Sequence, residues 1–356
     1  MKTITFSHLS LYQTQICKGI AILFIVIHNF LSKLGSPPWH NEFTFDGARL
    51  PEALAVIQGD GGEFFRVFMT FLGHYGVQVF IFLSAYGLVR SLENQPKTWS
   101  GFIYKRIKQL MLPMILVMIF YLLTRMGAHD YFDIIKRLLF ISNFYPNEAL
   151  LVIGPWWFLS LIVQFYCLFM PMRMMQKRFG NKSLAILSVI AIIFSMQLYP
   201  WLLAHDIYLG AIIFGHLPEF ALGMYVASLD KIKIPLWLIC AAFVGLILGN
   251  IYYYFWFIAP LCAAIVIMFT CGILFKYMPS KHPAAKILNY IGVLSLYIFL
   301  LNGILREFFI VLLAAGGYSI LTSLIYTAVV TIVCIVLAYG FYLLEAIINT
   351  KPRETQ

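Results

Sequence analysis

Charge is what this chain has least of. Lys, Arg, Asp and Glu make up 11% of its 356 residues, while 62% are hydrophobic, and the mean hydropathy is +0.86. A water-soluble domain carries roughly a quarter charged residues and about half apolar ones. The chain therefore lacks the polar surface to fold in water and reads as an integral membrane protein. Acids are scarcer than bases, leaving a net charge of +10. With no zinc-finger spacing and no basic tail, that charge is not a nucleic-acid signature. Cys17, Cys167, Cys240, Cys262, Cys271 and Cys334 lie in or beside apolar runs and form no CxxC pair, so they are expected as small buried hydrophobes. There is no HExxH, no histidine-rich cluster and no cysteine ligand set, which leaves metal binding unsupported. No GxSxG elbow surrounds Ser84, which argues against a serine-hydrolase nucleophile. Repeats, heptads and low-complexity tracts are absent too. No small-x-small site follows the first apolar run, which is expected to be an uncleaved first span.

Long apolar runs are abundant. A membrane helix needs about 20 apolar residues, and ten runs read as spans: 18–34, 70–89, 109–125, 152–171, 183–200, 208–228, 234–250, 254–275, 289–310 and 320–344. Breaks are expected at Pro200, Asp206, Lys231–Pro235, Asn250, residues 276–283 and Gly316–Gly317. The fold class is all-α: one polytopic helical bundle over residues 1–356. All but seven of the 25 basic residues fall at one set of span ends; the exceptions are Lys33, Arg49, Arg66, Arg125, Lys136, Arg137 and Arg306. Basic residues concentrate on the cytoplasmic side, so both termini are expected there, in the inner cell membrane. Two outer segments are long. One, 35–69, carries Glu42, Asp46, Glu52, Asp60 and Glu63 and suggests an interfacial helix near 50–58. The other, 126–151, suits a helix lying on the membrane surface.

Polar side chains inside spans narrow the function. In KGIAILFIVIHNF, His28 stands ten residues after Lys18, about 15 Å along the helix and near mid-membrane. Polar groups there are costly and often functional, and histidine is the usual general base near neutral pH. A packing histidine bonded to a neighbouring helix is the bland alternative. Ser84 and Tyr86 lie in VFIFLSAYGLVRSL, where the bland alternative is hydrogen bonding to their own helix or a neighbour and Gly87 is expected to permit close helix approach. Lys105, Arg106 and Lys108 precede the third span, with Arg90 sharing their field; they serve orientation or hold a phosphorylated donor. Trp156 and Trp157 fit an aromatic belt, and Gln164 and Tyr166 lie deeper and need partners. His216 and Glu219 share the sixth span, where a lone carboxylate must be paired or protonated. Ser295, Tyr297 and Asn302 are in the ninth. Together these groups outline a polar cavity in a helical bundle.

The motifs KGIAILFIVIHN, GVQVFIFLSAYGLVRSL, FIYKRIKQLMLP, PWWFLSLIVQFY and IGVLSLYIFLLNG resemble those of the acyltransferase type 3 family of membrane proteins in its compact, membrane-domain-only form, over roughly residues 12–345. The resemblance implies transfer of an acyl group, usually acetyl, from cytoplasmic acyl-CoA to a hydroxyl of an extracytoplasmic or lipid-linked glycan, with no bound cofactor. It implies Lys18, Arg90, Lys105 and Arg106 as acyl-CoA-binding residues. Ser84, Tyr86, Trp156, Trp157, Gln164, Glu219, Tyr297 and Asn302 would line the acceptor site or cavity, and the catalytic position falls on His28 and Asn29. The family's spacing places its histidine at Asn29, and its late-span segment often has histidine where Asn302 stands. Eleven positions of helix turn about 1,100°, some 20° from the Lys18 face, whereas ten leave His28 about 80° away. Asparagine cannot act as a base, so His28 takes the role, or His74 or His216 supplies it. A non-catalytic membrane transporter or export partner for lipid-linked glycans is the alternative reading, and a structural membrane subunit is a third.

Overall fold

The computed structural model describes residues 3–34, 37, 39–93, 98–124, 131–150, 153–316 and 319–349. Lys2, Lys97, Arg125, Lys351 and Arg353 of the charge pattern, and Gly317 of the expected breaks, lie outside them. The chain is a polytopic helical bundle in which eight segments are long and apolar enough to cross a bilayer. A short strand β1 (Thr3–Phe6) precedes α1 (Leu11–Leu31). Ser10 caps α1: its hydroxyl accepts from the Gln13 backbone N–H, and the Gln13 side chain accepts from the Ser10 N–H, so two orphan donors are satisfied at the start of the apolar run. An interfacial helix α2 (Arg49–Gly59) follows, close to the position expected for it, and then α3 (Phe64–Leu72) and α4 (Gly76–Glu93), which together form the second crossing.

The third crossing is α5 (Trp99–Thr124). Next come the outlying α6 (Tyr131–Leu138) and two full-length crossings, α7 (Trp157–Phe179) and α8 (Lys182–Ala204). On α6 the apolar Tyr131, Phe132 and Ile135 are exposed while Lys136 and Arg137 are buried, as suits a helix lying on lipid. The break expected at Pro200 does not occur, since α8 runs on to Ala204. A membrane offers no water to freed backbone groups, and one lost hydrogen bond near a helix end is tolerated there.

The expected sixth and seventh spans hold only short helices, α9 (Leu217–Ala227) and, after strand β2 (Ile232–Pro235), α10 (Leu236–Gly249). At 1.5 Å per residue they are about 17 and 21 Å long, less than the roughly 30 Å of hydrocarbon. Gly210, Gly215 and Pro218 keep residues 205–216 from continuing the helix, and that stretch folds back into the bundle as two 3-10 turns. Irregular backbone is stable at this depth only when protein groups satisfy it. The Asn143 amide donates to the Ala211 carbonyl at 2.6 Å, and the Gln164 side chain accepts from the Ile213 N–H at 3.2 Å.

A single-turn helix α11 (Tyr253–Trp256), then α12 (Ala259–Tyr277), α13 (Pro283–Val293), α14 (Ser295–Gly316) and α15 (Ile320–Asn349) complete the bundle. The one sheet among the described residues, β1 paired antiparallel with β2, has no counterpart in the sequence expectation. It joins the start of α1 to the start of α10, so both begin at the same end of the bundle. Helix α1 crosses α13 with backbones nearly touching. A Cβ on Gly19 would lie 2.1 Å from the Leu288 carbonyl oxygen, and one on Gly292 would lie 1.9 Å from that of Gln15. Such small-residue crossings hold membrane helices by close van der Waals packing. Gly87, expected to play that part, faces open space, so no neighbouring backbone uses it. Of the cysteines, Cys17, Cys262, Cys271 and Cys334 are buried and all six are free, but Cys167 and Cys240 are exposed, a position the apolar bilayer permits.

Candidate active site

Two cavities lie along α1. The first, of about 160 Å³, sits toward the end where α1 begins and is lined by Lys18, Ser84, Tyr166 and Ser295 among apolar side chains. The second, of about 190 Å³, sits toward the far end and is lined by His28, Asn29, Glu42, His74, Trp157 and Arg306, with others. Ile25, Val77 and Phe299 belong to the walls of both. Helix periodicity explains the arrangement. Lys18, Ile25 and Asn29 are seven and then four residues apart, so all three sit within about 40° of one another on a single face. His28 stands beside that face, toward α3 and His74.

At the first cavity, Lys18 is half-buried and lies within electrostatic reach of Arg106. Arg106 is itself half-buried, donates to the Gln109 side chain and to the Ser91 hydroxyl, both at 3.3 Å, and sits over the Phe102 ring. Lys105, Lys108 and Arg90 are exposed around it. Lys18 and Arg106 thus bring two positive charges near the end of α1 where this cavity lies.

At the second cavity, the outer one in the reading below, His28 Nδ1 is 3.2 Å from the Met69 carbonyl. Donating there leaves the lone pair on Nε2. Its ring centre is 5.4 Å from that of His74, and His74 Nε2 is 3.2 Å from His40 Nδ1. Burial, with Arg49 and His28 nearby, pushes the His40 pKa down to about 3, so His40 is neutral. Asn29 donates through its side-chain amide to the Asn302 side-chain oxygen at 2.8 Å, and Asn302 in turn donates to the Phe299 carbonyl. Arg306 pairs with Glu307 at 2.7 Å and keeps further donors for the cavity. Among the described residues no group of three His, Cys, Asp or Glu is placed to hold a metal ion.

The structure thus places Lys18 and Ser84 at one cavity, with Arg106 near Lys18, and His28, Asn29 and Trp157 at the other, with Asn302 behind Asn29. Five further expected residues are engaged elsewhere. The Tyr86 hydroxyl meets His8 Nδ1 at 3.2 Å and accepts from the Leu9 N–H. Trp156 donates to the Leu300 carbonyl at 2.9 Å, and Tyr297 donates to the Glu345 carboxylate at 2.8 Å. Gln164 supports the re-entrant backbone as described. Glu219 is paired with His216 Nδ1 at 3.0 Å, and His216 Nε2 is 2.9 Å from the Gly210 carbonyl. Sequence reading missed Glu42, Arg306 and Trp39 as cavity residues. Nothing in the spacing marks the first and last, because they sit in an irregular connection. Arg306, four residues after Asn302, shares its helix face, and that periodicity could have found it.

The arrangement puts Lys18 at one cavity, an imidazole and an amide at the other, and the apolar Ile25, Val77 and Phe299 in the walls of both. A family model describing an acyltransferase domain of the type 3 class matches residues 12–342. No curated protein and no solved structure matches the chain.

Proposed function

The chain belongs to the acyltransferase type 3 family of membrane enzymes, and from that premise we propose that it moves an acyl group, acetyl above all, from cytoplasmic acyl-CoA to a hydroxyl of an extracytoplasmic or lipid-linked glycan. The observation that carries this reading is the pair of cavities sharing Ile25, Val77 and Phe299. Lys18 and Arg106 hold the CoA phosphates at the inner mouth, which the charge pattern assigns to the cytoplasm. Eleven residues of helix separate Lys18 from Asn29, about 16 Å, a length an extended pantetheine arm can span. The thioester then sits at the neck, facing a hydroxyl that enters from the outer cavity.

His28 Nε2 takes the proton of that hydroxyl as its oxygen attacks the thioester carbonyl. The Asn29 and Arg306 donors face the oxygen on which negative charge develops. Collapse of the intermediate breaks the carbon–sulfur bond, and the proton on His28 goes to the leaving thiolate. The products are an ester and free CoA, with no net proton change. Both termini face the cytoplasm in this reading, the side on which basic residues concentrate.

The test is to close the neck. Val77→Phe adds a ring where the two cavities meet. Thiol release from acetyl-CoA should fall at least tenfold while acetyl-CoA binding, measured by calorimetry, stays within about twofold, since ring bulk at the neck blocks approach without touching the cations. Unchanged turnover would sink the route. Arg106→Ala should do the reverse: the KM for acetyl-CoA rises about tenfold and kcat changes little, as loss of a charge-assisted contact predicts. A kcat loss at constant KM would remove Arg106 from the donor site.

A further inference from the structure

Glu42 has no part in the reading above, yet it lies in the wall of the outer cavity and also in that of a small adjoining one lined by His40, His74 and His216. Its place is built. The Asn41 side-chain oxygen accepts from the backbone N–H groups of Phe43 at 2.7 Å and Thr44 at 2.9 Å, which folds the connection after α1 into a tight turn. Phe43 anchors that turn edge-on against Trp157 and Tyr208, with ring centres 5.2 and 5.4 Å apart. The re-entrant segment then clamps it: a Cβ on Gly210 would lie 2.3 Å from the Glu42 carbonyl oxygen. Glu42 thus lies in a cavity wall that Trp39, Phe43 and Trp157 share.

We propose that Glu42 binds the acceptor, its carboxylate accepting hydrogen bonds from hydroxyls of a neutral sugar ring whose apolar face packs on these aromatic side chains. A sugar presents several donors on one edge and a C–H face on another, and a carboxylate flanked by rings matches both. The inference rests on acyl transfer to a glycan and names the group that selects it.

Charge balance around Glu42 sets its pH behaviour. His216 faces it from the start of α9, itself held by Glu219; His40 and Lys33 come from the same connection, and His28, His74, Tyr75 and Arg306 from the helices around it. Burial pushes the Glu42 pKa up to about 7, against a lowering pull from His216. The group is therefore neutral below that value and a carboxylate above it. A carboxylate accepts hydrogen bonds more strongly than the acid, so sugar affinity should rise with pH through that range.

The test uses the full chain in nanodiscs with methyl α-glucopyranoside as probe, followed by tryptophan fluorescence from Trp39 and Trp157. The expected results are an affinity that rises with pH, a roughly tenfold loss in Glu42→Gln together with loss of the pH response, and partial recovery in Glu42→Asp. Failure of the unaltered protein to bind the glycoside, or equal affinity and pH response in Glu42→Gln, overturns the inference. If Glu42→Gln loses acetyl-CoA binding as well, the residue is structural and the inference also falls. Thiol release from acetyl-CoA is measured alongside. Turnover with a silent Glu42→Gln sinks this inference alone; Glu42-dependent binding with no turnover sinks the CoA-dependent transfer instead.

Discussion

His28→Ala should lower acyl transfer by about 10²–10⁴-fold, the usual contribution of a positioned base, while leaving acetyl-CoA binding intact. The geometry behind the expectation is specific. Nδ1 is spent on the Met69 carbonyl, so one lone pair remains, and the ring borders the cavity proposed for the acceptor. Asn29→Ala should cost far less, about 1–2 kcal/mol of barrier, since it removes one amide donor and frees Asn302. Asn29→His is the discriminating variant. It sets an imidazole on the face shared by Lys18 and Ile25, in the wall of the cavity that His28 also lines. If it raises turnover in the His28→Ala background, the working face is that of Asn29 and His28 is only its neighbour. Retained activity in His28→Ala and in the double alanine variant would move the base to another group, with His216 beside Glu219 examined next.

Gly292→Val should prevent the bundle from assembling. Its first side-chain carbon would overlap the Gln15 carbonyl oxygen at 1.9 Å, and a helical backbone has no rotamer through which to yield. The only relief is to push α1 and α13 apart, which loses the packing that holds them. Even Gly292→Ala should cost about 3 kcal/mol, the upper end for overpacking, read as an earlier loss of the monodisperse peak on heating before gel filtration. Gly87→Ala is the control: open space surrounds that site, so stability should hold or rise slightly through helix propensity. Equal behaviour of the two alanine variants would refute the interlocked crossing.

What the sequence disclosed follows from which interactions are local. The position of α1, the side-by-side placement of His28 and Asn29, and the Lys18–Asn29 face all follow from a helix repeat that apolar runs reveal directly. The interfacial helix near 50–58 was equally legible. Hydropathy overestimated α9 and α10, because a window counts apolar residues and not whether backbone continues through Gly210, Gly215 and Pro218. Tyr86, Trp156, Gln164 and Tyr297 looked like cavity residues for the same reason: a polar atom in an apolar run announces a partner without saying which. Their partners proved to be His8, the Leu300 carbonyl, the Ile213 N–H and Glu345, contacts set by tertiary packing alone. Glu42 was counted as one of five acids in an outer loop. Its place depends on the Asn41–Phe43 turn meeting Gly210 across long sequence separation, which no local pattern encodes.

The pairing of Thr3 with Pro235 puts a clock on assembly. A ribosome adds roughly 5–20 residues per second, so β1 emerges roughly ten seconds to most of a minute before β2 exists. Through that interval its backbone donors and acceptors have no strand to pair with, while α1 and several later helices are already threading into the bilayer. The ribbon is therefore a late clasp, closed by a contact of very long sequence separation, and contacts of that kind are slow to form. A bulky partner fused ahead of Thr3 would be carried through the same delay and would meet the chain again only at the turn into α10.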